Sequence, residues 1–387
     1  MSDGRQAGDG EVRDKLLAAI GDHRQEFEAA GNRAEELRTL PPETVQTLHD
    51  LGAFGLKTPA ELGGTPLQPL EFCDVLEELA YVDVSTAWTA MIGVGCAGMA
   101  GGWLPDGGVR RVFTPGGPIP LIAGQLQPRG TGRPVDGGYI VTGRWSFASG
   151  IPHASWVIGA FLVTGDDGRV LVFIAPKDET QVIDTWFAAG LQGTGSMDFA
   201  MTEVFVPEEM TWERTAAAER GGALFRQEGL LFVSNEVPPL CVGMARRALD
   251  DMTEMASHTS RFAGAKTLSE RGVFLKELGR AQTKVQAARL VHRDAIEAAW
   301  EATRAGTGAS PAQHAIVGAA SVFAVETCAE VITDLFRYGG GRVLALSHPM
   351  QRHLRNSLAA RQHVAVTEEN YELAGRERIE SAKARRD

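Results

Sequence analysis

The segment Gly138–Ser149, GYIVTGRWSFAS, followed by Gly150 and IPHASWVIGAF, decides how the rest of this 387-residue chain is interpreted. Its alternating apolar residues predict a strand that ends in a Gly/Ser turn. Trp145 and Trp156 bracket a polar cluster at that turn. A flat heteroaromatic cofactor needs this kind of sheet edge, with apolar faces and a few hydroxyl groups, so the segment predicts a cofactor site.

Three stretches with different patterns follow one another along the chain. Helical spacing of apolar residues runs through 11–115, short alternating runs separated by Gly- and Pro-rich turns fill 116–222, and long helical patterns return over 223–387. Residues 1–10 are polar and Gly-rich, and we expect a disordered tail there. The chain is therefore predicted to be mainly α with a central antiparallel β domain.

Local signals mark individual elements of this plan. Pro42, after Pro41, suits the first position of a helix, and Thr267–Glu270 and Ser310–Gln313 have the form of capping boxes. The long C-terminal helices, one of them predicted over Pro311–Tyr338, indicate a four-helix bundle completed by Met350–Gly375. The predicted strands are Tyr139–Val141, Trp156–Val163, Val170–Ile174, Val182–Phe187 and Phe199–Val206.

Composition excludes several classes of protein. A net charge of −11 argues against a nucleic-acid surface, and we expect no membrane-spanning segment. The four cysteines are far apart and form no CxxC pair, which predicts a reduced, cytoplasmic protein. His348 and His353 are five residues apart in a basic stretch, and no metal site is predicted.

One glycine motif is better explained by packing than by cofactor binding. Gly93, Gly95 and Gly98 have the spacing of a dinucleotide fingerprint, but no βαβ unit surrounds them and no suitable acidic residue follows. The preceding residues read as a helix as easily as a strand. We therefore interpret the three glycines as a helix-packing run.

Three segments together resemble the acyl-CoA dehydrogenase fold, in the version used by two-component (group D) flavin-dependent monooxygenases. The resemblance extends from about residue 12 to 375. It implies an N-terminal helical domain, a middle antiparallel β domain and a C-terminal four-helix bundle. The segments are Trp145–Gly150, Gly193–Asp198 with the following strand to Pro207, and Tyr338–Arg342 with Pro349–Asn356.

The resemblance also implies which residues contact the flavin. Trp145 and Phe147 would lie against the ring system, and Ser149 would lie near flavin N5. Arg261 would reach the flavin phosphate with the planar fork that arginine offers. The glycine turn at Gly339 and Gly340 would approach the flavin across a subunit boundary, so a homotetramer is expected.

The chain departs from the dehydrogenases at the residue that matters most for their chemistry. Those enzymes carry a glutamate base about nine residues after an Arg-Asp pair, whereas this chain has Val364 in that neighbourhood, after Arg355 and Asn356. Valine cannot accept a proton. In the monooxygenase branch a histidine occupies the neighbourhood, and His363 matches it. The resemblance implies that His363 steadies a C4a-hydroperoxide of the flavin.

A second departure concerns the substrate. Phenol hydroxylases of this group often have a histidine after a Ser-Thr-x-Trp helix, and Cys96 occupies that place after Trp88. Both residues are expected in the substrate pocket. A simple phenol is therefore a less suitable substrate than an amine, an indole or a polyketide-like compound.

The sequence predicts the oxygenase component of a two-component flavin-dependent monooxygenase, which hydroxylates a small organic (aromatic, amine or polyketide-like) substrate. Reduced flavin, FMNH2 or FADH2, would come from a separate flavin reductase. One alternative is an acyl-CoA dehydrogenase or oxidase with a relocated base, for which Glu236, Glu326 and Glu330 are available. The other is a flavin-free homologue that acts as a binding or scaffold protein. The choice of FMN or FAD and of C-, N- or S-oxygenation stays open.

Overall fold

A computed structural model describes residues 9–166, 168–227, 230–233, 236–258 and 266–384. In sequence, helices precede and follow the strands of a central sheet, so the predicted order of helical, β and helical regions is confirmed. The α-helices in these ranges are α1 Asp9–Asp22, α2 Arg24–Leu37, α3 Pro42–Asp50, α4 Pro69–Val82, α5 Val84–Trp103, α6 Asp106–Val112, α7 Leu230–Val233, α8 Val237–His258, α9 Gly272–Arg304, α10 Pro311–Phe336, α11 Pro349–Ala360 and α12 Glu369–Lys383.

The sheet has seven strands in the order β5-β6-β2-β1-β3-β4-β7. Strand β3 has the predicted bounds, whereas β1 and β7 were not predicted and β5 ends before residues 184–187, for which the strand prediction is wrong. The strands are β1 Ile122–Val135, β2 Gly138–Ala148, β3 Trp156–Val163, β4 Val170–Pro176, β5 Gln181–Ile183, β6 Met197–Pro207 and β7 Thr211–Glu213.

One pair of strands departs from the predicted antiparallel pattern. Strands β1 and β2 form a hairpin in which Val135 faces Gly138, and Gly137 takes a φ of 75° in the two-residue turn. After β2 the chain passes through a short 3-10 helix and returns beside β1 as β3, which runs parallel to β1. The sheet is therefore mixed, with its other described pairs antiparallel.

The chain divides into two compact units. The first comprises residues 1–72, 85–188 and 192–232, and it contains the sheet together with α5. Aromatic side chains fill the sheet core of this unit: Trp145 stacks on Phe199 with ring centres 5.0 Å apart and meets Phe173 edge-on at 5.1 Å. Such pairs contribute beyond the burial of apolar area.

The second unit comprises residues 73–84, 189–191 and 233–387. Buried Glu77 of α4 accepts hydrogen bonds from Arg246 of α8 and Arg289 of α9, both at 2.7 Å. Arg293 pairs with Asp74 one turn away, at 2.6 Å. These charge-assisted bonds satisfy carboxylates that would be costly to bury alone.

The predicted helix signals are borne out by the geometry. Both capping boxes form, at Thr267 and at Ser310, and α3 begins at Pro42. Helices α5 and α10 are long and apolar enough to cross a membrane, but 83% and 67% of their apolar windows are buried inside the fold. Burial of this extent is typical of core helices, because a core helix is hydrophobic on most of its faces.

Candidate functional site

A cleft of about 290 Å³ opens where β2 ends, within the first unit. The end of β2 forms one wall, and the loop after β5 forms the other. The start of β6 closes the base. The cleft is lined by Arg144, Ser146, Phe147, Thr185, Trp186, Phe187, Ala188, Ser196 and Asp198.

Phe147 stands on the wall of this cleft with 69% of its surface exposed. Its φ of 65° lies in the left-handed region, which bulky residues rarely adopt. This conformation turns the ring out of the sheet, where it meets the edge of Trp186 at 6.3 Å between ring centres. Strained backbone at a ligand-sized cleft is typical of functional sites. The predicted flavin contact of Phe147 is compatible with this position.

Trp145 lies in the core instead of on the cleft, so its predicted contact with the flavin ring is wrong. None of its surface is exposed, and its Nε1 donates to the carbonyl oxygen of Ala160 at 2.9 Å. The alternation of side chains along β2 explains the difference, because Trp145 faces the buried side of the sheet while Ser146 lines the cleft.

Ser149 lies behind the cleft wall in a cluster of hydroxyl groups. Its Oγ is 2.7 Å from Oγ of Ser196, which is in turn 2.7 Å from Oγ1 of Thr194. Trp88 of α5 donates from Nε1 to Ser149 Oγ at 3.2 Å. The backbone of Gly150 also donates to Thr194 O at 2.8 Å, which ties the end of β2 to the Gly193–Asp198 turn.

Helix α5 carries both residues predicted for the substrate pocket. Trp88 is buried and bonded to Ser149, and Cys96 is half-buried about two turns further along. The glycines of this helix allow close packing: a Cβ on Gly93 would lie 2.5 Å from Leu121, and one on Gly98 would lie 2.7 Å from the carbonyl oxygen of Lys57. The packing interpretation is thereby confirmed for Gly93 and Gly98.

Arg38 anchors the loop wall, a role that was not predicted from the sequence. It follows α2 with a φ of 56°, and its guanidinium donates to both carboxylate oxygens of Asp184 at 2.7 Å and to Trp186 O at 3.2 Å. The same group lies 4.0 Å from the ring centre of Phe187. These hydrogen bonds raise the pKa of Arg38 and lower that of Asp184, which stay charged.

A second ion pair lies at the base of the cleft. Arg144 contacts the buried carboxylate of Asp198 at 2.7 Å, and the Asp198 backbone N–H donates to Thr185 Oγ1 at 3.2 Å. The pair fixes the start of β6 against β2. Charge-assisted bonds of this kind hold geometry more firmly than neutral bonds.

His363 belongs to the second unit, where it caps a short 3-10 helix, Val364–Val366. Its Nδ1 accepts from the backbone N–H of Ala365 at 3.3 Å, so the neutral ring carries its proton on Nε2. Burial lowers the pKa of His363 to about 4. The imidazole is therefore neutral at physiological pH and can donate from Nε2.

The other residues of the predicted flavin site lie in the second unit or outside the described residues. Gly340 takes a φ of 62° in the second unit, in a turn where Gly339 packs against Val343. Arg261 lies outside the described residues. Among the residues that the structure describes, no group of three or more His, Cys, Asp or Glu side chains could hold a metal ion.

Several cleft residues were missed by the sequence interpretation. Ser196 lies in the GTGS turn that carried part of the resemblance, yet nothing marked this hydroxyl as the one facing the cleft. Phe187 was placed in a strand, whereas the loop that holds it leaves 73% of its surface exposed. No local pattern in the sequence distinguishes a loop phenylalanine that lines a cleft from one in a strand.

Comparisons with known families give a consistent result. Models described as "Acyl-CoA dehydrogenase, N-terminal domain" and "Acyl-CoA dehydrogenase, C-terminal domain" match residues 11–101 and 238–368. The flavin-dependent monooxygenase oxygenase subunit HsaA of Mycobacterium tuberculosis is 30% identical over 380 residues, covering 90% of this chain and 91% of the relative. Indole-3-acetate monooxygenase of Pseudomonas putida is 25% identical over 341 residues, covering 87% of each chain.

Solved structures have the same fold over nearly the whole chain. The crystal structure of HsaA from M. tuberculosis superposes with a TM-score of 0.86 at 26% identity, covering 95% of this chain and 97% of that one. XiaF from Streptomyces, solved with FADH2 and glycerol, has a TM-score of 0.88 at 23% identity and covers 96% of each chain. The second likeness concerns the fold alone.

Proposed function

This chain belongs to the acyl-CoA dehydrogenase-fold family of flavin-dependent monooxygenases, and we propose that the cleft at the end of β2 holds the ring system of its reduced flavin. It is an oxygenase component, which takes reduced flavin from a separate reductase and acts on a small-molecule substrate. The residues that hold the ring are Ser146, Phe147, Phe187 and Ser196.

The single observation that carries this assignment is the pair of exposed phenylalanines on the cleft. Phe147 and Phe187 expose 69% and 73% of their surfaces beside hydroxyl groups of Ser146 and Ser196. A flat heteroaromatic ring would cover the apolar surfaces and bond the hydroxyls, each covered Å² contributing about 25 cal/mol. The cleft volume is close to the lower end of small-molecule pockets, roughly 300 Å³, and suits one ring system.

The reduced flavin, when bound, supplies the reaction with O2 that delivers one oxygen atom to the substrate. The protein's own contribution is to orient this ring and to keep water away from it. The residues that line the cleft would orient the ring. The hydrogen bonds from Arg38 to Asp184 and Trp186 hold the loop wall that shields the ring from water. The family resemblance implies that the neutral imidazole of His363 would donate a hydrogen bond from Nε2 to the oxygen that reacts.

The dehydrogenase alternative needs a carboxylate base, and the candidates on the bundle are engaged elsewhere. Glu326 accepts hydrogen bonds from Arg361 at 3.0 Å and Tyr371 at 3.3 Å, and Glu330 pairs with Lys284 at 2.7 Å. Glu236 is buried. A carboxylate whose oxygens already accept hydrogen bonds from a cation is less available to take a proton from a substrate. Together with Val364 in place of the base, this favours monooxygenation.

The substrate we propose is a small aromatic compound. Relatives are named for oxidation of indole-3-acetate and resorcinol, and Trp88 with Cys96 on α5 would contribute the apolar and soft lining that such rings prefer. An amine or polyketide-like substrate remains the alternative. The absence of a histidine at Cys96 argues for a substrate that needs no deprotonation at that position.

Two further features of the family are proposed for this chain. A homotetramer is supported by Leu344 and Leu346, which expose 70% and 80% of their surfaces beside the Gly340 turn. Exposed leucines of this kind favour a protein contact. A cytoplasmic location is supported by the four free cysteines. Light scattering of the purified protein tests the tetramer, and a monomer with full activity would contradict it.

Oxygen incorporation tests the proposed reaction. The protein is mixed with anaerobically reduced FMN or FAD, then with isotopically labelled O2 and a panel of indoles, phenols, arylamines and polyketide-like aromatics. We expect one labelled oxygen atom in a product of at least one class, detected by mass spectrometry. Flavin reduction by an acyl-CoA without any reductase would support the dehydrogenase instead. Failure to bind either flavin in any redox state would favour the flavin-free homologue.

A further inference from the structure

The hydrogen bonds in the hydroxyl cluster behind the cleft run in one direction, from Trp88 through Ser149 to Ser196. An indole Nε1 can only donate, so Ser149 Oγ accepts from Trp88. The Ser149 hydroxyl must then place its own hydrogen, and within the described part of the chain its other side-chain partner is Ser196 Oγ, at 2.7 Å. Ser149 is 3% exposed, so a hydrogen left without an acceptor would be costly. Ser149 therefore donates to Ser196.

Ser196 links the Ser149 hydroxyl to that of Thr194. Ser196 Oγ receives the Ser149 hydrogen on one lone pair, and it lies 2.7 Å from Thr194 Oγ1. Hydrogen bonds that run in one direction polarise and strengthen one another, which favours donation from Ser196 to Thr194. Ser196 lines the cleft, and its second lone pair is then available there to accept a hydrogen bond.

We propose that Trp88 is a positioning residue that makes Ser196 a hydrogen-bond acceptor in the cleft, and that this arrangement selects reduced over oxidised flavin. The inference rests on the proposed function of the cleft. Reduced flavin carries an N–H at N5, whereas oxidised flavin has a lone pair there. If N5 faces Ser196, an acceptor there binds the reduced ring better than the oxidised ring, and differential affinity of this kind is how a protein chooses between two states of a ligand.

Trp88 acts on the cleft through its hydrogen bond to Ser149. The test must therefore separate loss of this hydrogen bond from loss of the packing of the Trp88 ring. Trp88→Phe keeps an aromatic ring on α5, although a smaller one, and removes the indole N–H donor. Trp103→Phe is the matched control, because Trp103 lies on the same helix, is similarly buried, and donates from Nε1 to Ala216 O at 2.9 Å away from the cluster. Ser149→Ala removes the middle of the chain and serves if Trp88→Phe does not fold.

Anaerobic titration of the whole protein with oxidised and reduced FMN and FAD gives the ratio of the two dissociation constants. We expect wild type to favour the reduced form, and Trp88→Phe and Ser149→Ala each to lower that preference about three- to tenfold, the effect of one net hydrogen bond. Trp103→Phe should leave the ratio unchanged. An unchanged ratio in Trp88→Phe, or an equal change in Trp103→Phe, would overturn the inference.

The outcome also distinguishes this inference from the proposed function. A wild-type protein that binds neither form of either flavin contradicts the assignment of the cleft. A wild-type protein that prefers reduced flavin but is indifferent to loss of the Trp88 donor leaves that assignment intact and contradicts only the role of Trp88. Circular dichroism melts of all variants check that each one is folded before titration.

Discussion

The guanidinium of Arg38 lies 4.0 Å from the centre of the Phe187 ring while it donates to both carboxylate oxygens of Asp184. One side chain from the end of α2 thus holds the loop that forms a wall of the cleft. The planar fork of arginine makes both contacts at once, which lysine cannot do. The shape of the cleft therefore depends on a residue far from it in sequence.

Replacement of Arg38 should weaken flavin binding through this loop. Arg38→Ala is expected to raise the dissociation constant of reduced flavin about fivefold, because the loop loses both the ion pair with Asp184 and the cation–π contact with Phe187 that hold it in place. Arg38→Lys should recover only part of the affinity. Arg33→Ala is the control, because Arg33 also lies on α2 and pairs with Glu43. Equal effects of Arg38→Ala and Arg33→Ala on binding would contradict the role of Arg38.

Trp145 and Phe147 are two residues apart on β2 and should behave in opposite ways. Trp145→Phe loses the bond to Ala160 O in the core and is expected to lower the free energy of unfolding by about 1–3 kcal/mol with little change in flavin affinity. Phe147→Ala should reduce flavin affinity and leave stability within about 1 kcal/mol, since its ring is exposed. Denaturant melts and flavin titrations of both variants measure these effects. Weaker flavin binding by Trp145→Phe, with unchanged binding by Phe147→Ala, would contradict the assignment of Phe147 to the cleft and of Trp145 to the core.

His363 should affect the fate of the oxygen more than the binding of the flavin. His363→Ala is expected to lower product formed per reduced flavin about ten- to a hundredfold and to raise hydrogen peroxide release, with flavin affinity nearly unchanged, because a hydrogen bond to a strongly polar group contributes about 1.5–3 kcal/mol. His348→Ala is the matched control, since His348 also accepts a backbone N–H from two residues ahead, that of Met350. Product yield and peroxide release equal to wild type in His363→Ala would contradict this role.

The low pKa of His363 also predicts a pH dependence. With that pKa at about 4, the ring stays neutral from about pH 5.5 to 8, so product yield should show no inflection from this residue there. The effect of His363 on the free energy of unfolding occurs at lower pH. Between the unfolded pKa of about 6.5 and the folded value, the unfolded chain binds a proton that the folded chain does not, so the free energy of unfolding falls as pH falls.

His363→Gln should remove the part of the acid-dependent fall in free energy of unfolding that His363 causes. Comparing urea melts of wild type and His363→Gln at several pH values isolates the contribution of His363 from that of the other buried histidines. The difference in free energy of unfolding between the two proteins should shift in favour of the variant as pH falls from about 6.5 to 4, by at most about 1.4 kcal/mol per pH unit. A difference that stays constant over this range would contradict the neutral assignment.

The sequence predicted the order of helical, β and helical regions because each pattern is local. Strand β1 escaped prediction for a physical reason: it contains Gly130 and Gly132, whose missing side chains leave room for the rings of Trp145 and Phe161. Glycines weaken the signal of a strand while they permit close packing of its neighbours. The parallel pairing of β1 with β3 depends on that tertiary arrangement and cannot be read from either segment alone.

The position of the cleft could be predicted from a segment whose residues are close in sequence, whereas the flavin contacts stay predictions. Phe147 and Ser149 belong to one quoted segment, and the structure places them at and behind the cleft. Arg38 and Asp184 meet across 146 positions, and no local pattern indicates such a contact. Trp145 was misassigned because a resemblance gives the identity of a residue but not the face of the strand on which it lies.

The affinity of the protein for the two redox states of flavin tests directly whether this chain binds reduced flavin in the cleft as a co-substrate. We expect the purified protein to be nearly colourless and, in anaerobic titrations, to bind reduced FMN or FAD more tightly than the oxidised form. An oxygenase component that draws flavin from a reductase requires this order. A yellow protein that binds oxidised flavin more tightly, and that is bleached by an acyl-CoA, would contradict the account.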